Sequence, residues 1–440
     1  MTRIMGDTGL AERSLGFTTR QLHDGGGRDE VRSRTTPIYL SAGFPFADFD
    51  DAAAHFGGEG DTYSYTRVAN PTTASVERRI AALEGGAEAI LVGSGQAALA
   101  IALLGVLDAG SHVVAGASLY EGTRNLLAEN LRRLAIGTDF VAQANDRAAW
   151  ERLIRPETRA LVVESIPNPK NDIVDLEVVA SVAHAHGIPL VVDNTLATPY
   201  LLRPIEHGAD IVVHSASKFL AGHGAVLGGA IIDNGRFDAE RSGALYPHLV
   251  EEPYPGAASF AERAGGRARV AYTRDIVASR YGPTPSPINA FLIEQGIETL
   301  SLRVARHSAN ALAIAEWLAA QDDVHSVDYS GLPSSPWHDL ARRYLPDGQG
   351  SVFSFTLRGG LPAARRFADA LEVFTQMTHL GDVRSLVLHP ATTSHARRTE
   401  EERSQAGIWP GTLRLSVGIE DVADLIADLE RALAVSRSAE

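Results

Sequence analysis

The stretch PLVVDNTLATPYLLRPIEHGADIVVHSASKFLAGHG, residues 189–224, decides the fold. It contains two short apolar runs rich in β-branched residues, 189–192 and 211–213. Such runs are typical of parallel strands that are buried on both faces. The polar residues that follow the two runs are Asp193, Ser215, Ser217 and Lys218. Because ligands bind outside the carboxyl ends of the strands in an open α/β sheet, these four side chains are predicted to share one crevice.

This set of side chains suits pyridoxal phosphate. A lysine amine forms a Schiff base with the aldehyde of that cofactor, and a carboxylate can pair with its pyridine nitrogen so that the ring takes up electrons. Hydroxyls and backbone N–H groups can hold its phosphate. A single Asp after a strand is more often a turn or cap residue, and a single Lys is more often solvated. The spacing alone therefore leaves both interpretations open.

Length, charge and cysteine usage exclude several classes of protein. A chain of 440 residues is long enough for two or three domains with a large core. Apolar residues make up 45% and charged residues 21%, as in ordinary globular proteins, and the net charge of −14 argues against a nucleic-acid or anionic-membrane surface. The chain has no cysteine, which excludes disulfides, thiolate metal sites and thiol nucleophiles.

No segment of the sequence predicts export or membrane insertion. The N-terminus is charged and lacks the apolar region of a signal peptide. Residues 89–107 carry no charge over nearly the length of a membrane span, but Gly93, Ser94 and Gly95 divide them into a strand and a helix. We therefore expect a cytoplasmic enzyme.

The middle of the chain alternates strands with helices, which predicts a mostly parallel sheet. Seven strands are predicted at residues 89–92, 112–115, 139–142, 160–164, 189–193, 210–214 and 227–233. Helices are predicted at 96–107 and 176–186, and 236–285 is predicted to be irregular. The last hundred residues predict a smaller α/β domain. The expected division is an N-terminal arm at 1–60, a large cofactor-binding domain at 61–290 and a small domain at 291–440.

Several motifs resemble those of the Cys/Met-metabolism family of pyridoxal-phosphate enzymes. The segments HSASKFLAGHG and VVDNT are similar to the lysine and aspartate segments of that family, with Ser217 in place of the usual threonine. The other matching segments, in family order, are DTYSYTRVANPTT (61–73), SGQAA (94–98), SLYEGT (118–123), ESIPNP (164–169) and GTLRLSVGIED (411–421). The resemblance covers about residues 17 to 435. It implies a fold-type-I transferase, with a mostly parallel seven-stranded sheet and a smaller C-terminal α/β domain.

The resemblance also implies a role for each matching residue. Lys218 carries the cofactor and acts as the catalytic base, and Tyr120 stacks on the ring and assists catalysis. The other residues expected to bind the cofactor are Asp193 and Asn168 at the ring, and Ser94, Gly95, Gln96, Ser215 and Ser217 at the phosphate, with Tyr65 and Arg67 reaching it from the next subunit. Arg414 and Ser385 are expected to bind the substrate carboxylate. Glu121 replaces a glycine of the family, and no pattern predicts a metal site.

Two further segments resemble the sulfhydrylase branch of the family. They are QGIETL and GDVRSLVLHPATTSHA, in which Gln295 and Glu298 replace a basic pair of the lyases and Arg384 stands where lyases carry an acid. This likeness implies O-acetyl-L-homoserine and sulfide as substrates, and a cytoplasmic homotetramer with shared active sites. A positive charge at Arg384 near the pocket mouth is expected to attract hydrosulfide. The alternative is that Arg384 only pairs with a surface acid, in which case its charge does not matter.

Other functions stay open at this point. A γ-lyase or a cystathionine γ-synthase of the same family shares most of the site. A nicotinamide-dependent dehydrogenase is opposed by the lack of a GxGxxG segment after a strand. A catalytically silent cofactor-binding or scaffold protein is opposed by the presence of Asp193, Lys218 and Arg414 together.

Overall fold

A computed structural model of the chain describes residues 15–25, 32–57 and 63–437. Much of the predicted N-terminal arm, including residues 1–14, therefore lies outside the described residues. The described part of the arm contains two helices, α1 (Phe17–His23) and α2 (Phe49–Gly57). The predicted domain boundaries at residues 60 and 290 stay a prediction.

A seven-stranded sheet forms the centre of the molecule. Its strands are β1 (Glu88–Val92), β2 (His112–Gly116), β3 (Gly137–Val141), β4 (Thr158–Glu164), β5 (Leu190–Asp193), β6 (Ile211–His214) and β7 (Gly229–Asp233). They lie in the order β1-β7-β6-β5-β4-β2-β3, and only β7 runs antiparallel to its neighbours. The predicted mostly parallel sheet is therefore confirmed. Strand β7 starts two residues later than predicted because Leu227 is exposed and the Gly228 amide donates to Ser217 Oγ.

Both faces of this sheet are buried, which explains the apolar runs of the sequence. Val192 and Val212 belong to the core on one face, whereas Val191 and Val213 belong to the core on the other. Successive side chains of a strand point to opposite faces, so a strand buried on both sides must be apolar throughout. Polar side chains are therefore placed at the ends of the strands.

Helices surround the sheet and continue into the C-terminal part. Those that follow α2 are α3 (Pro71–Glu84), α4 (Gly95–Leu104), α5 (Glu121–Asn125), α6 (Arg147–Glu151), α7 (Leu176–Ala185), α8 (Thr198–Leu201), α9 (Ala239–Ser242), α10 (Pro247–Val250), α11 (Phe260–Ala264), α12 (Ala268–Tyr272), α13 (Ser279–Tyr281), α14 (Pro287–Ile297), α15 (Leu300–Ala319), α16 (His338–Tyr344), α17 (Gly360–Ala370), α18 (Glu400–Gln405) and α19 (Val422–Ser436). In the ranges that the structure covers, no helix is both long and apolar enough to cross a membrane.

The prediction that 236–285 is irregular is wrong, because the segment forms the short helices α9 to α13. Local caps, rather than an apolar period, define two of them. The Asp238 side chain accepts from the amides of Glu240 and Arg241, and Ser259 and Glu262 form a capping box. Helices of one or two turns are too short to show a clear hydrophobic period.

A second sheet of five strands lies in the C-terminal part of the chain. Its strands are β8 (Val324–Asp328), β9 (Val352–Leu357), β10 (Thr375–Gln376), β11 (Leu386–Leu388) and β12 (Thr412–Ser416). Their order is β10-β11-β12-β9-β8. Ile314 of α15, Phe367 of α17 and Leu429 of α19 share one buried core with this sheet. The loop between β10 and β11 contacts both the turn after β6 and the strand β12, through His379.

Candidate active site

The carboxyl ends of β5 and β6 form the floor of a crevice. Asp193 is the last residue of β5, and Lys218 lies in the turn that follows β6. The two ends are joined by a hydrogen bond in which the Ser215 amide donates to Thr195 Oγ1 at 2.8 Å. The structure therefore brings together the polar residues that follow the two apolar runs of residues 189–224.

Lys218 contacts a histidine from the second sheet. Its Nζ lies 2.9 Å from Nδ1 of His379, which is in the loop between β10 and β11. Burial, and then the positive charge of Arg414, lower the pKa of Lys218 to about 8. A large fraction of this amine is therefore neutral near pH 8 and able to act as a nucleophile or a base.

Arg414 projects from β12 toward the same crevice. It is only 5% exposed, and its Nη2 donates to the carbonyls of Thr378 at 3.3 Å and His379 at 3.0 Å. Burial lowers the pKa of Arg414 to about 10. Its Nε has no hydrogen-bond partner among the described residues. A buried donor without a partner is costly, so this atom suits a ligand carboxylate.

Two carboxyl groups lie side by side at the ends of β4 and β5. Glu164 and Asp193 are register partners on these parallel strands. Asp193 Oδ1 accepts from the amide and the hydroxyl of Thr195 at 2.9 and 2.5 Å, yet burial raises its pKa. Burial and the charge of Asp193 raise the pKa of Glu164. A protonated ring nitrogen next to Asp193 would supply the positive charge that this buried pair lacks.

The start of α4 provides a cradle for an anion. Ser94 caps the helix by accepting from the Ala97 amide at 3.2 Å. The amides of Gly95 and Gln96, in the first turn, have no acceptor within the helix. A Cβ atom on Gly95 would lie 2.5 Å from Ser215 Cβ, so the helix start and the turn after β6 pack against each other only because residue 95 is glycine. Such a helix start binds phosphate well.

The residues present therefore fit pyridoxal phosphate. The cradle at Gly95 suits the phosphate, Asp193 suits the ring nitrogen, and Lys218 suits the aldehyde. Asn168 follows β4, and its buried Oδ1 has no partner in the part of the chain that the structure describes, so this amide is available to a ligand.

Tyr120 directly precedes α5 at the edge of the crevice and is half exposed. Its amide donates to Glu164 Oε1 at 2.5 Å, which fixes it beside the two carboxyl groups. A Cβ atom on Gly122 would lie 2.4 Å from the Tyr120 ring, so a larger residue there would displace this ring. The neighbouring Glu121 pairs with Arg398, whose Nε lies 2.9 Å from Oε2. This mostly buried ion pair ties the start of α5 to the C-terminal part of the chain.

Two predicted ligands have hydroxyls that are engaged elsewhere. Ser217 Oγ both donates to the carbonyl and accepts from the amide of Gly228, at 3.2 and 3.0 Å. Ser385 Oγ donates to Glu420 at 2.9 Å and accepts from the Gly418 amide at 2.8 Å. Both hydroxyls contribute to the frame of the site in this conformation, and their direct contact with a ligand stays a prediction.

Tyr65 and Arg67 lie on an exposed stretch before α3. The Arg67 guanidinium lies over the Tyr65 ring, 5.5 Å from its centroid, and Nη1 donates to the carbonyl of Ser279. Within the described ranges, no hydrogen bond joins either residue to the Lys218 crevice. Their predicted action on the cofactor of a neighbouring subunit stays a prediction.

The expected free charge at Arg384 is not found. Its Nε and Nη2 donate to the two oxygens of the buried Asp382 carboxylate, at 2.9 and 3.0 Å. Because the carboxylate is two residues away on the same turn, the pair is close to neutral. The charge of Arg384 therefore gives little reason to expect attraction of hydrosulfide.

Sequence reasoning missed two residues of the site. Thr195 could have been found, because the side chain of an Asp at a strand end typically accepts from the backbone amide two residues later, in an Asx-type turn. His379 could not, because its contact with Lys218 joins residues 161 positions apart and no spacing within the chain signals it.

Comparisons with known proteins agree with this geometry. The family described as Cys/Met metabolism PLP-dependent enzyme matches residues 18–434. An O-acetyl-L-homoserine sulfhydrylase of Corynebacterium glutamicum is 42% identical over 94% of this chain and 96% of its own length. A homocysteine synthase of Schizosaccharomyces pombe is 43% identical over 96% of this chain and 98% of its own.

A solved structure supports the same assignment. It is a putative O-acetylhomoserine (thiol)-lyase of Campylobacter jejuni that contains pyridoxyl-lysine monophosphate, and it superposes with a TM-score of 0.89 at 35% identity. The match covers 96% of this chain and all of that one. The predicted fold-type-I architecture and the predicted cofactor, pyridoxal phosphate, are thereby confirmed. The chain belongs to the Cys/Met metabolism family of PLP-dependent enzymes.

Proposed function

We propose that this chain is an O-acetyl-L-homoserine sulfhydrylase of methionine biosynthesis. The reaction breaks the Cγ–O bond of O-acetyl-L-homoserine, forms a Cγ–S bond to hydrosulfide, and releases acetate and L-homocysteine. The observation that carries the proposal is the crevice that joins Lys218, Asp193 and Arg414, in a chain 42–43% identical to relatives named for this reaction. The substrate is inferred from the names of these relatives, and the type of reaction is inferred from the residues of the crevice.

Lys218 is the proposed catalytic base. Pyridoxal phosphate bound at this lysine supplies a ring that stabilises the negative charge left when a proton leaves Cα. With a pKa of about 8, the released Lys218 amine takes that proton from Cα and moves a proton at Cβ. Asp193 holds a proton on the ring nitrogen through its charge. The amides of Gly95 and Gln96, together with Ser94 and Ser215, bind the phosphate.

Arg414 is proposed to fix the substrate. The carbonyls of Thr378 and His379 accept from Nη2 and hold the guanidinium in one orientation, so the unpartnered Nε can donate to the α-carboxylate. Tyr120 lies close enough to Arg414 for the two side chains to interact electrostatically. Its ring is proposed to stack on the cofactor, and its hydroxyl to assist the departure of acetate.

The oligomer is proposed to be a homotetramer of dimers that share active sites. The arm exposes large apolar side chains, with Phe49 85% and Phe56 82% exposed. A neighbouring copy that covers this surface would remove it from water. In such a dimer Tyr65 and Arg67 complete the phosphate site of the next subunit.

Subunit exchange tests the shared site. Inactive Arg67→Ala and inactive Lys218→Ala proteins are mixed and allowed to exchange, and activity should partly return because some sites combine two intact halves. Light scattering measures the mass of each preparation. Proven exchange without recovery of activity would contradict the shared site.

We also propose that the enzyme acts on small molecules in the cytoplasm. The net charge of −14 supports an enzyme without a nucleic-acid or anionic-membrane partner. Fractionation of cells followed by detection of the protein tests the location.

A product assay tests the reaction itself. O-Acetyl-L-homoserine is supplied with and without sulfide, and acetate, homocysteine and 2-oxobutyrate are measured together. We expect homocysteine to match acetate when sulfide is present and acetate release to fall sharply without it. Mainly 2-oxobutyrate and ammonia would instead identify a γ-lyase, and efficient use of cysteine as the sulfur donor would identify a cystathionine γ-synthase.

A further inference from the structure

The amine of Lys218 has a single hydrogen-bond partner among the described residues, the imidazole of His379. Nζ and Nδ1 are 2.9 Å apart, a normal hydrogen-bond length. Lys218 lies in the turn after β6, whereas His379 lies in the loop between β10 and β11. The contact thus spans the crevice and links the sheet that carries the base to the sheet that carries Arg414.

The imidazole of His379 is suited to accept this hydrogen bond. Burial, and then the charge of Lys218, lower the pKa of His379 to about 4. The other charged groups that act on the ring are Asp382, Arg414 and Arg384. A neutral imidazole has one nitrogen that accepts and one that donates, and an ammonium group can only donate. Nδ1 therefore accepts from Lys218 whenever the amine carries its third proton.

The backbone of His379 is held in place by the substrate-binding arginine. Arg414 Nη2 donates to the His379 carbonyl at 3.0 Å and to the neighbouring Thr378 carbonyl at 3.3 Å. One residue thus contacts the base through its ring and the carboxylate-binding residue through its carbonyl. The imidazole is consequently fixed relative to both ends of a bound amino acid.

We propose that His379 is a positioning residue, whose imidazole accepts a hydrogen bond from Lys218 Nζ and aims the released amine at the carbon atoms of the substrate. The role depends on the proposed function only in that Lys218 is the base of that reaction. A lysine has four rotatable bonds above Cα, so a released amine without such a partner samples many orientations. An orienting acceptor at the far side of the crevice restricts that sampling.

The test measures how the acylation of the Lys218 amine depends on pH, in protein without cofactor or substrate. Apoprotein is treated with an acylating reagent at a series of pH values, and the modified peptides are quantified by mass spectrometry. The chain contains only two lysines, Lys170 and Lys218, so Lys170 serves as an internal reference. The variants are His379→Leu, which removes the acceptor, and His379→Asn, whose amide oxygen can take the place of Nδ1. The matched control is His325→Gln, at an exposed histidine of β8.

The expected result follows from the loss of an acceptor for a charged donor. His379→Leu should move the midpoint of Lys218 acylation about one pH unit below the wild-type midpoint near 8, because the ammonium form loses its hydrogen bond. His379→Asn and His325→Gln should keep the wild-type midpoint. In the enzyme loaded with cofactor, His379→Leu should lower kcat about tenfold with little change in KM, and His379→Asn should restore it.

Two outcomes would overturn the proposal. One is an unchanged midpoint for Lys218 in His379→Leu, and the other is a His379→Asn variant that restores neither the midpoint nor kcat. Circular dichroism checks folding, and His379→Ala provides the same comparison if the leucine variant does not fold. Because the midpoint is measured in apoprotein, it is independent of which substrate the enzyme uses. A failure of the proposed function would appear in the product assay instead.

Discussion

Replacement of Gly95 by alanine tests the phosphate cradle at the start of α4. A Cβ atom at this position would lie 2.5 Å from Cβ and 2.8 Å from both Cα and Oγ of Ser215. Real Cβ contacts are essentially never this short, and one of the atoms is backbone, so a side-chain rotation cannot relieve the overlap. Either the helix start or the turn after β6 must move.

The size of the effect follows from the cost of overpacking. Inserting one methyl group into a well-packed site costs about 1–3 kcal/mol. The movement separates the amides of Gly95 and Gln96 from Ser215, so we expect this cost to appear in cofactor binding. It corresponds to a roughly 5- to 150-fold rise in the dissociation constant of pyridoxal phosphate.

Titration of apoprotein with pyridoxal phosphate, followed by absorbance, measures this constant. The control is Gly116→Ala, at the carboxyl end of β2 in the same sheet, where an added Cβ would lie 3.8 Å from Val163 Cγ1, an ordinary contact. The control should bind cofactor as the wild type does. Equal affinity in both variants would refute the assignment of the cradle.

Two further predictions concern stability. Glu84→Leu removes the acceptor that lies 2.5 Å from His214 Nε2 and 2.9 Å from Asn194 Nδ2 in the core, so the free energy of unfolding should fall by about 2–5 kcal/mol. The control is Glu151→Gln, at the exposed ion pair with Arg147, which should lower the free energy of unfolding by less than about 1 kcal/mol. Urea unfolding measures both variants, and equal losses in the two would contradict the buried role of Glu84. Burial lowers the pKa of His307 from 6.5 to about 4. Because the unfolded chain binds this proton below pH 6.5 and the folded chain binds it only near pH 4, stability should fall as the pH drops through that window, and less so in His307→Asn. Parallel curves for the two proteins would exclude this contribution.

The sequence was most informative where one physical requirement dominates. A strand buried on both faces must be apolar throughout, and its end must carry the polar groups, so β5, β6, Asp193 and Lys218 could be read from one stretch. The short helices between 236 and 285 were missed because caps such as that at Asp238 define them, with too few turns to show a period.

Side-chain partners across the chain were beyond sequence reasoning. Spacing does not reveal that Asp382 neutralises Arg384, or that the hydroxyl of Ser217 is engaged by Gly228. His379 reaches Lys218 only because the second sheet packs over the end of the first, a tertiary arrangement that no local pattern encodes. The residue types of the site were predictable, whereas the contacts that tune them were not.

The most direct test of the account is to identify the lysine that carries the cofactor. Borohydride reduction of the enzyme with bound pyridoxal phosphate, followed by peptide mass mapping, has only two candidate lysine side chains to distinguish. We expect the pyridoxyl label on the peptide that contains Lys218, in the wild type and equally in Lys170→Ala. A label on Lys170, or no label on either lysine in a protein that binds the cofactor, would contradict the account.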